Sequence, residues 1–387
     1  MVNTLLVLAL VAGAQTGTKG KVGPGVPNFW VRPGYEVTVA AELPGARFLE
    51  VGDDGTLYVS KPNPGEITAF KDKNKDGVYE TKTVFVTDQP TLHGLCFEGG
   101  WLWYSTSGSI HKARDTNGDG VADEDIAVIP EGQLPKGGGH WWRSILVTSD
   151  AIFTSIGDMS NASDLMEGSE REKVWKFSKD GSGKTLWSGG IRNTEKLRLR
   201  PGTQEVWGVD HGSDNMGASF GESKGKLPIT NLNPPDEFNH YEQGKFYGHP
   251  FIPGYGFPRL EFQERGDLLD LAAKTTAPAW NFPAHAASNS FCFVSRKSSL
   301  PADHIGDAFV ASHGSSNSTI KVGYRVDRVC FDKETGKPYG MLPIVKLLEG
   351  DKPLGRPVDC TEAPDGSILF SDDVGGKVYR IRYVGKK

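Results

Sequence analysis

Short apolar runs alternate with polar residues along most of the chain, and each run stops at a turn rich in glycine or aspartate. A period of two predicts β-strands. Six segments share one plan, an apolar strand, a turn and a second alternating strand; they begin at Phe48, Gly94, Ser144, Leu197, Phe291 and Asp359. Most continue into a third strand. Repeated antiparallel units of roughly 45 to 95 residues predict an all-β fold, a six-bladed β-propeller with long loops over its channel face.

The sequence also contains a signal for closure of the ring. The last unit shows three strands, and an isolated strand near the N-terminus, YEVTVAAEL at 35–43, can complete its sheet. Closure of this kind hides the sheet edges. We therefore predict a linker at 15–34 and a single propeller domain at 35–387, with residues 213–289 as loops above the ring. A pair of β-sandwiches is the alternative, and it explains the repeat less well.

Composition supports a turn-rich β protein and narrows the partners. The 387 residues include 49 Gly, 24 Pro and 9 Trp, and the net charge is −5. Acidic and basic residues are interspersed, so the chain does not resemble a nucleic-acid-binding protein. The four cysteines lie outside C-x-x-C and C-x-x-C-H motifs, so a zinc ribbon and covalent haem lack support. A disulfide and four buried thiols both remain open.

The N-terminus reads MVNTLLVLALVAGA, an apolar stretch that ends in an A-x-A pattern. This pattern predicts a signal peptide at 1–14, although the stretch lacks Lys and Arg. A buried N-terminal strand is the alternative. No later stretch has the ~18 apolar residues of a membrane helix. We therefore expect a periplasmic or secreted protein with no membrane span once the signal is removed.

Two loops have the alternating oxygen donors that suit a hard cation such as Ca²⁺. The donors in DKNKDGVYE are Asp72, Asn74, Asp76 and Glu80, and those in DTNGDGVAD are Asp115, Asn117, Asp119 and Asp123. Neither loop has the twelfth-position glutamate of an EF-hand. Any metal here is expected to be structural, and the alternative is a turn that keeps its shape without metal.

Polar clusters recur where each unit's inner strand is expected to open onto one face. The stretch GGGHWWRSILV places His140 between three glycines and two tryptophans, directly before a buried strand. Other clusters are GGIRNTEK, VDHGSDN, PPDEFNHYEQGKFYGHP, ASHGSSNS and LGRPVDC. In a propeller, we expect ligand-binding residues at the ends of the inner strands and in the loops that follow. Cations, carboxylates and histidines that converge there suit a flat polyanionic ligand with a bound metal.

The chain resembles the soluble pyrroloquinoline quinone (PQQ) sugar dehydrogenases, the glucose/sorbosone dehydrogenase family, over nearly all residues after 35. The most specific parts are SGGIRN, RPGTQEVWGVDHGSDNMG, PPDEFN, YGHP and GRPVDCTEAPDGSILFSDDVGGKVYRIRY, in this order and spacing. The resemblance implies a six-bladed propeller, in agreement with the repeat. It also implies PQQ and Ca²⁺ as cofactors, a sugar substrate and an external electron acceptor.

The resemblance further implies roles at matching positions. His140 matches the general base, Arg192 the arginine at the quinone oxygens, Asn193 a cofactor-binding residue and Arg356 the cation at the cofactor carboxylates. A histidine is neutral and basic near neutral pH, which suits this role. Gly212 and Ser213 match the residues whose carbonyls hold the active-site Ca²⁺. Asp236 and Glu237 lie in a segment that carries or supports a metal site.

Departures from the family pattern bear on the cofactor and the substrate. Ser316 and Ser318 stand where relatives of the sorbosone type often carry Trp and Arg, so a cofactor-binding cation is missing there. Lys321 and Arg325 are the candidates to replace it. His249 stands where Y-G-W-P has its tryptophan, near the substrate side.

Three functions remain in competition at the level of sequence. The first is a quinoprotein that oxidises an aldose-type sugar at C1, with hydride passing to PQQ and the proton to a histidine. The second is a Ca²⁺-dependent lactonase. Such an enzyme has no need of the Arg192 and Arg356 pair, so the arginines favour the quinoprotein. The third is a cofactor-free propeller that binds sugar or protein, which the two serines support.

Overall fold

The computed structural model describes residues 19–216, 228–315 and 317–386, and these form six antiparallel sheets around a common axis. We number the sheets as blades 1–6 along the chain. Blade 1 contains Leu49–Val51, Leu57–Lys61, Glu66–Lys71 and Thr81–Val86. Blade 2 contains Leu95–Glu98, Trp101–Ser105, Ile110–Arg114 and Glu124–Ile129. Blade 3 contains Leu146–Val147, Ala151–Ile156, Lys173–Ser178 and Thr185–Gly189.

The remaining blades are larger or carry additions. Blade 4 contains Thr194–Leu199, Val206–Asp210, Asp236–Tyr241 and Trp280–Phe282. Blade 5 contains Ser288–Phe293, Ala308–Ser312, Arg325–Phe331, Pro338–Lys346 and Trp30–Val31. Blade 6 contains Pro357–Glu362, Ile368–Asp372, Lys377–Tyr383, Tyr35–Glu42 and Lys21–Val22. A small hairpin pairs Leu348–Glu349 with Lys352–Pro353.

Helical segments among the described residues are short. Two α-helices span Pro228–Leu232 and Leu268–Lys274. Three 3₁₀ turns span Asp164–Met166, Leu260–Phe262 and Ala302–His304. None of the helices in the described part is long and apolar enough to cross a membrane.

The inner strands close into a ring, which confirms the predicted six-bladed propeller. Each inner strand contacts the inner strands of the preceding and the following blade, including blade 6 against blade 1. The predicted N-terminal strand performs the closure, because Tyr35–Glu42 pairs antiparallel with Lys377–Tyr383. Strands from the N-terminal and the C-terminal part of the described chain therefore pair in one sheet.

The predicted linker at 15–34 is wrong over its described part. Trp30–Val31 pairs with the outer strand of blade 5, and Lys21–Val22 runs parallel to Tyr35–Glu42. Phe29 and Val31 are buried in the core that joins blades 5 and 6. The segment is held because its backbone pairs with the outer edges of two sheets and because Phe29 and Val31 are buried.

The prediction that residues 213–289 are loops is also corrected. Two strands of blade 4, Asp236–Tyr241 and Trp280–Phe282, lie within this segment. The sequence DEFNHY does not have an apolar pattern, yet five of its six residues are buried, because their polar groups bond to neighbouring backbone and side chains.

Aromatic side chains fasten blade 4 to blade 5. Trp207 and Phe238 pack against Phe291, Phe293 and Phe331, with ring centroids 4.8–6.3 Å apart and mostly edge-to-face. Burying each of these side chains stabilises the fold by about 1.5–3 kcal/mol. The four cysteines are free thiols, and three of them are buried.

Candidate functional site

The candidate site lies where the chain enters the inner strands. Arg192 and Asn193 directly precede the inner strand of blade 4, and Arg356 directly precedes that of blade 6. Asp210 ends the second strand of blade 4 and accepts hydrogen bonds from the backbone N–H groups of Arg192 and Asn193 at 2.9 and 2.7 Å. The expected position at the ends of the inner strands is therefore corrected. The site combines the starts of inner strands with the ends of second strands, which are neighbours in antiparallel pairs.

His140 is fixed by the loop that follows the second strand of blade 3. Its Nδ1 lies 2.9 Å from the carbonyl oxygen of Asp158. A carbonyl only accepts, so Nδ1 carries the proton and Nε2 keeps a free lone pair. Gly157 allows this close approach, because a Cβ there would lie 2.8 Å from the His140 Cβ. The arrangement presents a neutral imidazole as a proton acceptor.

Burial and the neighbouring charge of Arg192 lower the pKa of His140 to about 3. Both effects disfavour the imidazolium. In the cofactor-free protein we therefore expect the His140 ring to stay almost wholly neutral at pH 5, where a free histidine of pKa about 6.5 is mostly protonated. Ring ¹⁵N chemical shifts followed from pH 8 to pH 4, with the signal assigned from His140→Gln, measure this. A ring that protonates near pH 6.5 contradicts the description.

Arg192 is buried and held in one orientation. Its Nε donates to the carbonyl oxygen of Asn161 at 2.7 Å, and its Nη2 donates to Asn161 Oδ1 at 2.8 Å. Nη2 also lies 3.4 Å from Asp214 Oδ1. Asp210 fixes the backbone at the same place. The side chain is thus a preorganised cation beside His140.

Asn193 and the following strand end form a second polar group. The Asn193 Nδ2 donates to His211 Nδ1 at 3.1 Å and to Glu195 Oε1 at 3.2 Å. Because His211 Nδ1 accepts, its Nε2 carries the proton, and this buried Nε2 has no partner among the described residues. The carbonyl oxygens of Gly212 and Ser213 accept no hydrogen bond from any described residue. Within the described ranges the group therefore has one donor and two acceptors without partners.

Asp236 and Glu237 support this backbone. Asp236 accepts from the N–H groups of Gly212 at 2.9 Å and Ser288 at 2.8 Å. Glu237 accepts from the Gly254 N–H at 2.7 Å and from Asn239 Nδ2 at 3.0 Å. Burial and Asp210 raise the pKa of Glu237 to about 8. Both carboxyl groups hold neighbouring backbone, and a direct role as metal ligands stays a prediction.

Arg356 and a residue that no sequence motif singled out, Arg47, bring further positive charge to this face. Arg356 Nε donates to the carbonyl of His313 at 3.1 Å and Nη2 donates to that of Gly314 at 3.0 Å. Arg47 Nη1 lies 2.9 Å from Asp373 Oδ2, and its Nη2 lies 3.4 Å from Glu195 Oε2. His313 Nε2 donates to the same Asp373 at 3.0 Å, which joins the two arginines in one network.

Arg47 also covers an aromatic surface. Its guanidinium carbon lies 4.6 Å from the ring centroid of Trp142, which stacks on Trp141 at 3.8 Å. One signal in the sequence could have identified Arg47. It stands two residues before the inner strand of blade 1, as Arg192 stands two residues before that of blade 4.

The structure does not bring the predicted replacement cations, Lys321 and Arg325, into this cluster. Arg325 Nε is engaged by Asp327 Oδ2 at 2.6 Å on the third strand of blade 5. Lys321 is exposed, and its side chain makes no hydrogen bond or ion pair with another described residue. Ser318 Oγ donates to Asn231 Oδ1 and to the carbonyl of Ile320. Ser316 lies outside the described residues.

The two aspartate-rich loops differ in structure. In the first loop, carboxylate oxygens of Asp72, Asp76 and Glu80 lie within 4.8 Å of one another. Asn74 Oδ1 accepts from the Asp76 N–H, as in an Asx turn. The metal prediction for this loop remains open.

The second loop is closed by its own hydrogen bonds, as is the first, in which Asp72 accepts from the N–H groups of Asp76 and Gly77. Asp115 accepts from the N–H groups of Asn117, Gly118 and Gly120. Asp123 accepts from Thr116 and Asn117, and Asp119 accepts from the Val121 N–H. The plain-turn alternative fits this loop.

Fold and site together define a class, a six-bladed propeller in which Arg192 lies beside a neutral histidine and Arg47 and Arg356 share the neighbouring Asp373. A sequence profile of the TrAA12-like family matches residues 29–260 and 267–382. The chain therefore belongs to the TrAA12-like family, which confirms the resemblance to PQQ-dependent sugar dehydrogenases.

Solved structures of low sequence identity share the fold. The family AA12 carbohydrate-active enzyme of Trichoderma reesei has a TM-score of 0.77 and 20% identity, and the match covers 93% of this chain and 98% of that one. The PQQ domain of pyranose dehydrogenase from Coprinopsis cinerea, in its holo form, has a TM-score of 0.77 and 18% identity over 93% and 99%. The soluble aldose sugar dehydrogenase of Escherichia coli has a TM-score of 0.64 and 15% identity over 90% and 99%.

Two curated proteins are similar over part of their length. A protein of Borreliella burgdorferi is 30% identical over 197 residues, which cover 50% of this chain and 48% of that protein. A Synechocystis protein is 27% identical over 192 residues, 42% of each chain. The chain thus matches about half of these curated relatives or less.

Proposed function

We propose that this protein is a PQQ-dependent dehydrogenase that oxidises an aldose-type sugar at C1 and passes the electrons to an external acceptor. The observation that carries the proposal is a network that links arginines of three blades. Arg192 lies beside the neutral His140, and Arg47 is linked through Glu195 to Asn193 and through Asp373 to Arg356. A quinone with three carboxylates is a ligand that such a set of cations recognises. The holo Coprinopsis cinerea domain and the calcium structure of the Trichoderma reesei enzyme support the same choice of cofactors.

Unpaired polar groups at this face fit the proposed cofactors. Buried Arg47 Nε and His211 Nε2 have no partner among the described residues. A buried donor without an acceptor costs about 1–3 kcal/mol, so an anionic or carbonyl-bearing ligand would relieve that cost. The free carbonyl oxygens of Gly212 and Ser213 are oxygen ligands of the kind that Ca²⁺ prefers. Gly212 is pressed so closely on Pro235 that a Cβ would lie 2.5 Å from the Pro235 carbonyl.

In this proposal PQQ supplies the acceptor for a hydride from C1 of the sugar. His140 Nε2 takes the proton from the C1 hydroxyl, while the Asp158 carbonyl keeps the ring in the required tautomer. Arg192 would stabilise negative charge on the quinone oxygens, because Asn161 and Asp214 already hold its guanidinium in one orientation. Arg47 and Arg356 bind and orient carboxylates.

The experiment that tests the function is reduction of the bound quinone by sugars. The purified protein is loaded with PQQ and Ca²⁺, and the quinone absorption is followed after addition of aldoses, a sorbosone-type substrate and a non-sugar alcohol. Bleaching by a sugar supports the proposal and gives the substrate class. Binding without bleaching by any sugar contradicts it, and no binding leaves a cofactor-free propeller. Lactone hydrolysis with Ca²⁺ alone would favour the lactonase.

Export of the protein remains a prediction, because the proposed signal peptide at 1–14 lies outside the described residues. We propose a periplasmic or secreted enzyme on that pattern. Loss of residues 1–14 from protein isolated out of its own cells, measured by N-terminal sequencing, is the expected outcome.

Arg47 provides a sharp test of cofactor recognition. Arg47→Gln is expected to weaken PQQ binding by about 10- to 100-fold, because a charge-assisted hydrogen bond contributes about 1.5–3 kcal/mol. Arg47→Lys keeps the charge and should lose less. The matched control is Arg114→Gln, which removes an exposed arginine paired with Glu124 on blade 2. Titration of apo-protein with PQQ in the presence of Ca²⁺ measures all three. Equal affinities for Arg47→Gln and Arg114→Gln would show that Arg47 does not contact the cofactor.

A further inference from the structure

Three buried side chains with metal-binding atoms meet beside the loop that holds His140. His249 Nε2 lies 2.9 Å from Asp158 Oδ2 and 3.7 Å from Glu172 Oε1. All three ligand atoms lie within 4.8 Å of one another, and each side chain is at least nine-tenths buried. Two carboxylates and an imidazole at this spacing can surround one cation.

One atom of this cluster lacks a hydrogen-bond partner within the described part of the chain. Glu172 Oε1 is buried and makes no hydrogen bond there. Burial and the neighbouring Asp158 also raise the pKa of Glu172 to about 8, so the carboxylate is held where its charge is disfavoured. A buried carboxylate of this kind is stabilised by pairing with a cation or by coordinating a metal. The unpaired oxygen therefore points to a ligand between the three side chains.

The backbone holds the three residues in place before any ion binds. The carbonyl of Glu172 accepts from the N–H groups of Gly190 and Ile191 at 2.9 and 3.2 Å. The His249 N–H donates to the carbonyl of Gly190 at 3.0 Å. The Asp158 N–H donates to the carbonyl of Arg192 at 2.9 Å. All three ligands are thus tied to one turn at 190–192, which gives the rigid support that a metal site requires.

Neighbouring charges set the electrostatic balance of the cluster. Arg171 and Arg192 both interact with Asp158, and Asp210 interacts with His249. Arg171 is occupied by the carbonyls of Lys136, Gly137 and Gly157. Lys173 interacts with Glu172, so the carboxyl groups of Asp158, Glu172 and Asp210 face three cationic side chains, Arg171, Arg192 and Lys173.

We propose that Asp158, Glu172 and His249 bind a divalent first-row transition-metal ion such as Zn²⁺. Mixed imidazole and carboxylate donors suit such an ion, whereas Ca²⁺ takes six to eight oxygen ligands. The ion replaces the Nε2 proton of His249 and neutralises the unpaired Glu172 oxygen. Three protein ligands leave a position for water. The site is distinct from the carbonyls of Gly212 and Ser213 and does not depend on the proposed function.

Occupancy would also act on the loop of His140. Asp158 accepts from His140 through its carbonyl and would bind the metal through its carboxylate. Metal at this site is therefore a structural clamp on the loop that carries the base.

The test is Zn²⁺ binding to chelator-treated protein without PQQ, in excess Ca²⁺. Wild type is expected to bind one equivalent by calorimetry, with a rise in Tm of about 2–5 °C. Glu172→Gln and His249→Gln are expected to lose this equivalent and the rise in Tm. Glu80→Gln, in the exposed group with Asp72 and Asp76, is the matched control and should keep both.

Two outcomes overturn the proposal. One is a wild type that binds no Zn²⁺ once Ca²⁺ saturates the exposed carboxylates, and the other is unchanged binding in Glu172→Gln and His249→Gln. The Tm of each metal-free variant shows whether it is folded. If a variant does not fold, X-ray absorption of the wild-type Zn²⁺ complex decides, because a coordination shell without an imidazole nitrogen excludes His249.

Discussion

Replacement of His140 by glutamine is expected to lower kcat for sugar oxidation by about 10²- to 10⁴-fold, with little change in PQQ affinity. Glutamine keeps a polar side chain in the loop but offers no basic nitrogen. The Asp158 carbonyl fixes the tautomer of the wild-type ring and burial keeps it neutral, so that Nε2 is able to accept a proton. Single-turnover reduction of bound quinone by an excess of sugar measures the loss directly.

A control variant tests whether the loss of rate is specific to His140 or follows the removal of any histidine. His111→Gln changes a half-buried histidine on blade 2 that hydrogen-bonds to Ser109 and stacks on Tyr104. This variant should retain wild-type rates. The account is contradicted if His140→Gln reduces quinone as fast as wild type, or if it loses quinone binding in a folded protein.

The second large effect is a loss of stability when a buried ion pair between two inner strands is broken. Lys196→Met is expected to reduce the free energy of unfolding by about 3–5 kcal/mol, because it leaves a buried carboxylate without its cation. Lys196 Nζ lies 3.1 Å from Asp359 Oδ2, and both side chains are almost wholly buried. Asp359 also accepts from the Leu49 N–H at 2.7 Å. The ion pair joins blades 4 and 6, and the hydrogen bond from Leu49 ties blade 1 to the same carboxylate.

Urea unfolding of the cofactor-free protein measures this loss. Lys61→Met is the matched control, since Lys61 pairs with Glu66 at a partly exposed position, where such a pair contributes about 0–1 kcal/mol. Restoring neutrality with Lys196→Met and Asp359→Asn together should recover part of the loss. A Lys196→Met protein as stable as the Lys61→Met control would show that the buried pair does not hold the blades together.

Much of the fold could be predicted from the alternation of apolar and polar residues along short segments. Alternating apolar residues located all six inner strands, and the strand at 35–43 closes the ring as predicted. The outer strands of blade 4 were not predicted because DEFNHY is polar, and its burial depends on partners that the sequence does not place beside it. Trp30–Val31 was not predicted because two residues carry no detectable period.

The candidate site was predictable only where a motif marked it. Arg192, Asn193 and Arg356 directly precede inner strands, and His140 lies in the loop before that of blade 3, whereas the sequence had placed such residues at the ends of these strands. No sequence motif marked Arg47. Its position depends on closure of the ring, which brings the start of blade 1 next to Asp373 of blade 6.

Lys321 and Arg325 were predicted to belong to the site, and the structure does not place them there. Closeness in sequence to Ser316 and Ser318 suggested them as replacement cations. Strand pairing instead places Arg325 on the third strand of blade 5, beside Asp327.

The most direct test of the central claim is equilibrium binding of PQQ to apo-protein in Ca²⁺, read from the absorption of the bound quinone. We expect one equivalent at micromolar or lower concentration, weakened in Arg47→Gln and Arg356→Gln and unchanged in Arg114→Gln. Absence of binding at micromolar PQQ would contradict the account. So would a PQQ affinity that is the same in wild type, Arg47→Gln and Arg356→Gln.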